Sequence, residues 1–235
     1  MTFQFKQFII HQDKTAMKVG TDGVLLGAWT SINPCPNSVL DIGAGTGLIA
    51  LQLAQRCDAQ IIDAIEIDDN AFEQAVANFE LSNWSDRLFC YHASLEQFTQ
   101  EMEDKYNLIV SNPPFYNDTF KSDNDARNKA RFTSSLSFQE LIKSVTKLLT
   151  KDGFFSIIVP FKEEKKITDL ASENNLYPNR ICRVKGTKNS KIKRSLIEFS
   201  FQKKETIITK LIIEIERHKY TKEYKNLVKD FYLKM

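Results

Sequence analysis

Asp41-Ile42-Gly43-Ala44-Gly45-Thr46-Gly47 decides the fold, because of what stands on either side of it. Before it, SVLDI over residues 38–42 reads as a short buried strand; after it, GLIALQLAQRC over 47–57 carries apolar residues at helical spacing. A glycine turn between strand and helix lets the backbone pass close to a ligand with no Cβ in the way, although it also serves simply to tighten such a junction. Working outward, QIIDAIEI (60–67) is a second strand and DDNAFEQAVANFELSN (68–83) a helix with acidic residues in its first turn. RLFCYH (87–92) and YNLIVS (106–111) are strands flanking a helix near 95–104. SFQELIKSVTKLL (137–149) is a helix capped by Ser137, with Glu140 at the capping-box position. Gly153 opens the strand FFSIIVP, and a helix over 162–175 leads to β-rich segments at 177–185 and 192–202. This alternation predicts an α/β fold, a mostly parallel, doubly wound sheet with helices on both faces. Ligands of such sheets bind outside the carboxyl ends of the strands. Residues 112–135 break the rhythm as a polar connection of over 20 residues, a length that points to function or disorder.

Composition excludes several classes. With 235 residues, 42% hydrophobic and 26% charged, the chain can build one substantial core and is neither disordered nor collagen-like. No apolar run approaches the ~20 residues of a membrane span, and the opening MTFQFKQFIIHQDK lacks the features of a signal peptide. Four scattered cysteines without a C-x-x-C pair, beside three histidines, argue against a disulfide scaffold and against a metal site. A cytoplasmic protein is expected. Net charge is +2 but uneven: residues 183–235 hold 15 Lys/Arg against 6 Asp/Glu, while the other 182 residues hold 17 against 24. The basic part is either a solvated lysine-rich tail or a face for nucleic acid.

Glu66 ends the second strand, 19 residues beyond Gly47, where a carboxylate can accept both hydroxyls of an adenosine ribose. The spacing is G-x-G-x-G, not the G-x-G-x-x-G of pyrophosphate binders, and no G-K-[ST] follows, so an adenosyl ligand without phosphates is expected. In these features the sequence resembles the Rossmann-like (class I) S-adenosylmethionine-dependent methyltransferases, which implies a seven-stranded sheet. That resemblance makes Asp41, Gly43, Gly45, Gly47 and Glu66 cofactor residues. The family often reads the adenine amino group with an Asp after the third strand; here the run is His92-Ala93-Ser94-Leu95, and Ser94 is the substitute.

After the fourth strand comes Ser111-Asn112-Pro113-Pro114-Phe115. Methyl transfer to an exocyclic amine conjugated with an aromatic ring needs no nucleophilic side chain. It needs two acceptors that take the amino hydrogens and draw the nitrogen towards sp³ as charge develops. The Asn112 side-chain oxygen and the Pro113 carbonyl can do this, Pro114 stiffens the turn, and Phe115 can stack on an extruded base. N-P-P-[FY] resembles the amino-methyltransferases of adenine N6, cytosine N4 or glutamine amide, with Phe in place of Tyr tilting towards adenine. In that resemblance Asn112 also borders the cofactor. Cytosine C5 chemistry is disfavoured, since the one Pro-Cys pair, Pro34-Cys35, precedes the first strand.

The segment Ala16-Met17-Lys18-Val19-Gly20-Thr21-Asp22-Gly23-Val24-Leu25-Leu26-Gly27-Ala28-Trp29 reads as a helix packed on the sheet. Together with Phe5-Lys6-Gln7-Phe8, Asn124-Asp125-Ala126-Arg127 and the closing Asp230-Phe231-Tyr232-Leu233, it makes nearly the whole chain resemble the tRNA1(Val) (adenine(37)-N6)-methyltransferase family. The resemblance implies one methyltransferase domain over 1–235, with a cofactor-covering segment at 1–37 contacting the ligand through Thr21 and Asp22, a core at 38–203 and an extension at 204–235. It implies S-adenosylmethionine as cofactor, tRNA as partner, N6-methyladenosine and S-adenosylhomocysteine as products, and no obligatory protein partner. Lys188, Lys191, Lys193 and Arg194 lie in an acid-free hairpin connection, which is either a solvated tip or, with Arg127, Lys129 and Arg131 after the catalytic turn, an RNA backbone track. Two rivals remain: a release-factor-type glutamine methyltransferase, for whose helical domain the ~37 residues before Val39 leave little room, and an RNA-binding module without catalysis.

Overall fold

The computed structural model describes residues 1–114 and 136–235. The glycine turn lies where the strand β3 (Ser38–Ile42) passes into helix α2 (Leu48–Arg56). The chain continues through β4 (Ile61–Glu66), α3 (Asp69–Glu80), β5 (Leu88–His92), α4 (Leu95–Glu101) and β6 (Tyr106–Ser111). After the undescribed residues come α5 (Phe138–Leu148), β7 (Leu149–Pro160), α6 (Glu164–Glu173), β8 (Tyr177–Thr187) and β9 (Ile192–Ser200). These seven strands run in the order β8-β9-β7-β6-β3-β4-β5, parallel except for β9.

The expected seven strands are present, and among the described residues two more extend the sheet to nine. β10 (Ile207–Glu216) lies parallel to β8, and the two-residue β11 (Lys219–Tyr220) turns back onto β10. The segment after 203 therefore continues the sheet. Its first strand, IITKLIIEIE, buries only Leu211 fully, so its outer position left no period-two pattern to read. Gly153 sits inside β7 instead of opening it: β7 starts at once after α5 and bulges against β6, with Tyr106 paired to Leu149 but Leu108 to Phe154. A Cβ at Gly153 would fall 2.9 Å from the Asn107 carbonyl oxygen.

Each face of the sheet carries a separate apolar layer, as alternating side chains in a doubly covered sheet require. One contains Leu48, Leu51 and Leu53 of α2, Val24, Leu25 and Leu26 of α1 (Thr21–Trp29) and Val228 of α7 (Lys222–Val228). The other contains Leu95 and Phe98 of α4, Leu141, Ile142 and Val145 of α5 and Ile167 of α6. α1 meets α2 closely because Gly23 and Gly27, one helical turn apart, face it: a Cβ on Gly23 would stand 3.1 Å from Leu48, and one on Gly27 would overlap the Gln52 side chain. The two ends of the chain join on this side. The hairpin of β1 (Thr2–Gln4) and β2 (Ile9–His11) bridges Phe5 to Tyr232, and the Lys6 N–H donates to the Phe231 carbonyl at 2.8 Å.

Among the described residues no helix is long and apolar enough to cross a membrane.

Candidate active site

The carboxyl ends of four parallel strands form one rim. Ile42 of β3 pairs with Ile65 of β4 and Ser111 of β6, and Glu66 pairs with His92 of β5. The glycine turn, Glu66, Ser94 and Asn112 thus emerge at nearly one level, across three interstrand spacings or roughly 14 Å.

Gly43, Gly45 and Gly47 all take positive φ (76°, 58° and 78°), but for different ends. A Cβ on Gly43 or Gly45 would meet nothing within 4 Å, so both border open space. A Cβ on Gly47 would lie 2.5 Å from Phe79 of α3, which makes it a helix-packing glycine. Glu66 braces the turn: one carboxylate oxygen accepts the Gly45 N–H at 2.8 Å, and the other accepts the N–H groups of Ile67 at 2.8 Å and Asp68 at 3.0 Å.

Asn78 had no place in the sequence reading. Buried on α3, it donates to the carbonyls of His11 at 2.9 Å and Thr46 at 2.8 Å and accepts the His11 N–H at 2.9 Å. It therefore ties the N-terminal hairpin to the glycine turn with every polar atom used, as a buried amide requires. A polar residue on the apolar face set by Ala71, Ala75 and Phe79 was the available signal.

Asp41 is wholly buried; one oxygen accepts the Ala50 N–H of α2 at 3.1 Å, and the other has no partner among the described residues. Burial pushes its carboxyl up to about 7; the Ala50 N–H opposes this rise and the Glu66 charge adds to it. The folded state therefore binds a proton more tightly than the unfolded chain. The resulting stability is full below about pH 4 and is lost as pH rises through about 7. Between pH 5 and 8 the loss is on the order of 3 kcal/mol. Asp41→Asn keeps an acceptor for Ala50 and should flatten this slope in urea titrations at the two pH values. Parallel pH dependence in both proteins would overturn the assignment.

Ser94 serves a local role: its hydroxyl accepts the Gln97 N–H at 3.2 Å and donates to the Gln97 side-chain oxygen at 3.0 Å, capping α4. Ser94-Leu95-Glu96-Gln97 is a legible capping box. Ser111 donates from Oγ to the Ile42 carbonyl at 2.9 Å and so fixes the start of Asn112-Pro113-Pro114 against the start of the glycine turn. Pro113 is buried, whereas Asn112 and Pro114 are partly exposed.

Because β8 runs parallel to β7, the β8–β9 hairpin lies on this same rim, with Lys188, Lys191 and Lys193 exposed. Arg194, by contrast, is committed: its Nε donates to Asp22 at 2.7 Å. That pair draws the start of α1, including the exposed Thr21, towards β9 at the rim. Phe115, Arg127, Lys129 and Arg131 lie outside the described residues. None of the expected site residues lines the polar groove of about 460 Å³ between α4 and α5. Among the described residues no cluster of three or more His, Cys, Asp or Glu could hold a metal.

A family model described as methyltransferase small domain matches residues 23–170. The chain is 59% identical over 235 residues to the tRNA1(Val) (adenine(37)-N6)-methyltransferase of Christiangramia forsetii, covering 99% of this chain and 98% of that protein. It is 60% identical over 233 residues to the protein of the same name from Flavobacterium psychrophilum, covering 99% of this chain and 100% of that one. The crystal structure of a "predicted O-methyltransferase" from Agrobacterium tumefaciens superposes with a TM-score of 0.65 over 89% of this chain and 96% of that one; at 18% identity it speaks for the fold alone. With identity of that order over nearly the full length of both chains, the chain belongs to the tRNA1(Val) (adenine(37)-N6)-methyltransferase family.

Proposed function

We propose that the protein methylates the exocyclic N6 of an unpaired adenine in tRNA, the base at position 37 named for its relatives. One observation carries the reading: the Asn112-Pro113-Pro114 turn starts beside the glycine turn, pinned by the Ser111–Ile42 hydrogen bond. S-adenosylmethionine supplies an electrophilic methyl group. The rim fits it, since Gly43 and Gly45 leave open space that side chains would fill and Glu66 stands at one margin.

Acceptance of the two amino hydrogens falls to the Asn112 side-chain oxygen and the Pro113 carbonyl. Both lie on a turn whose proline torsions are set before substrate arrives, so little reorganisation accompanies charge development on nitrogen. Glu66 holds the ribose while bracing Gly45. Asp41 acts from beneath, fixing α2 to the turn through Ala50, and Gly47 supports the turn by packing on Phe79. Thr21 and Asp22 bring the N-terminal segment to the rim over the cofactor, with Asp22 anchored on Arg194. Lys188, Lys191 and Lys193 line the path of the RNA backbone. The same role falls by residue type to Arg127, Lys129 and Arg131, and base stacking to Phe115, all outside the described residues. Ser94 borders the adenine side of the cofactor through its position after β5, its hydroxyl being held by Gln97.

The test is incubation with labelled S-adenosylmethionine and bulk tRNA lacking the modification, followed by nucleoside analysis and mapping. N6-methyladenosine at the base 3′ to the anticodon is expected. Label in a stem adenine, in cytosine or in a protein glutamine would overturn the reading.

A further inference from the structure

Phe161 follows β7 and is 37% exposed, although Phe155 and Phe199 on the same sheet are fully buried. One exposed apolar side chain needs no explanation in itself; its position does. Ser111, just before Asn112, pairs with Ile157 of β7, and Pro160, just before Phe161, pairs with Arg194 of β9. Phe161 therefore stands on the rim between the Asn-Pro-Pro turn and the basic hairpin. From β6 to β9 is two interstrand spacings, roughly 10 Å.

The ring lies beside a fixed cation. The Arg183 guanidinium lies 5.5 Å from the ring centroid. Arg183 is itself locked, donating from Nε at 3.1 Å and Nη2 at 2.7 Å to Glu164, whose other oxygen receives the Ser195 hydroxyl. Both Glu164 and Ser195 are buried, so the guanidinium beneath the ring is not a mobile surface charge. Beyond it, Lys193 is exposed at the bulge where β9 gains one residue against β8, Val184 pairing with Arg194 and Lys185 with Ile192. An exposed aromatic ring beside a fixed cation, with lysines beyond it, is the arrangement that holds single-stranded nucleic acid: bases stack on the ring while phosphates meet the cations.

We infer that Phe161 is a stacking platform for a nucleobase flanking the target adenine. The inference rests on the tRNA reading above and adds a second base subsite, one strand removed from the catalytic turn. It accounts for how a strand drawn towards the hairpin is kept in register while its neighbouring base leaves the stack.

Steady-state kinetics with unmodified tRNA and calorimetry with S-adenosylmethionine test it. Phe161→Ala and Phe161→Leu should each raise the tRNA KM by roughly 5- to 150-fold, the scale of one lost base–aromatic stack, with Phe161→Tyr within about twofold of wild type. Cofactor affinity and kcat at saturating tRNA should stay near wild type, and thermal unfolding should confirm that all three variants fold. Leucine preserves apolar bulk but offers no π face, so a Phe161→Leu enzyme with wild-type KM would overturn the inference. So would a Phe161→Ala enzyme with wild-type KM. A wild-type enzyme inert on every tRNA would overturn the tRNA reading and this inference together; an active wild type with unaffected variants would overturn this one alone.

Discussion

Asn112→Ala is expected to depress turnover by about 10²–10³ while leaving cofactor affinity nearly intact, the scale for removing one preorganised partner of a developing charge. The amide oxygen matters only as the target nitrogen gains positive character, so its loss should appear in kcat more than in the KM for tRNA. The turn itself should survive, because Ser111 still bonds the Ile42 carbonyl and two prolines still set the backbone. Single-turnover methylation beside a calorimetric cofactor titration separates these effects. Turnover within twofold of wild type would eliminate Asn112 as an acceptor.

Glu66→Ala should act on the other half of the rim and weaken cofactor binding by roughly 10²–10⁴, since two charge-assisted hydrogen bonds to a ribose diol are worth about 1.5–3 kcal/mol each. The geometry adds a second consequence. The carboxylate also receives the N–H groups of Gly45, Ile67 and Asp68, so alanine loosens the glycine turn and lowers the melting temperature even without cofactor. Glu66→Gln retains an acceptor for the turn but loses the charge, and should recover stability more than affinity. Calorimetry showing unchanged affinity in Glu66→Ala would refute the ribose assignment.

The interior strands and their helices were legible because their signals are local. Buried strands such as SVLDI and YNLIVS are short apolar runs, α5 shows a strong amphipathic pattern behind its Ser137 cap, and glycines mark the turn at positive φ. The Asn-Pro-Pro turn was legible as a candidate site because its residue types have few other uses directly after such a strand. Reading stopped short in two informative places. The sequence pointed to Ser94 only by its position after β5 and did not show that its hydroxyl pairs with Gln97 three residues on. β10 went unread because a strand near the sheet margin, burying little besides Leu211, lacks the alternation that burial imposes.

The α/β class, the order of the core elements, the glycine turn and the Asn-Pro-Pro turn were all readable from the chain alone, because each is set within a few residues. Folding alone shows which glycines face open space and which face Phe79, that Asn78 joins the hairpin to the turn, that Asp22 holds Arg194 across 172 residues, and that Phe161 stands between the Asn-Pro-Pro turn and the basic hairpin. Each of these depends on strand register and helix packing, which bring together residues far apart in the chain. Local propensity carries no record of such a pairing, because its energy exists only once the sheet has formed.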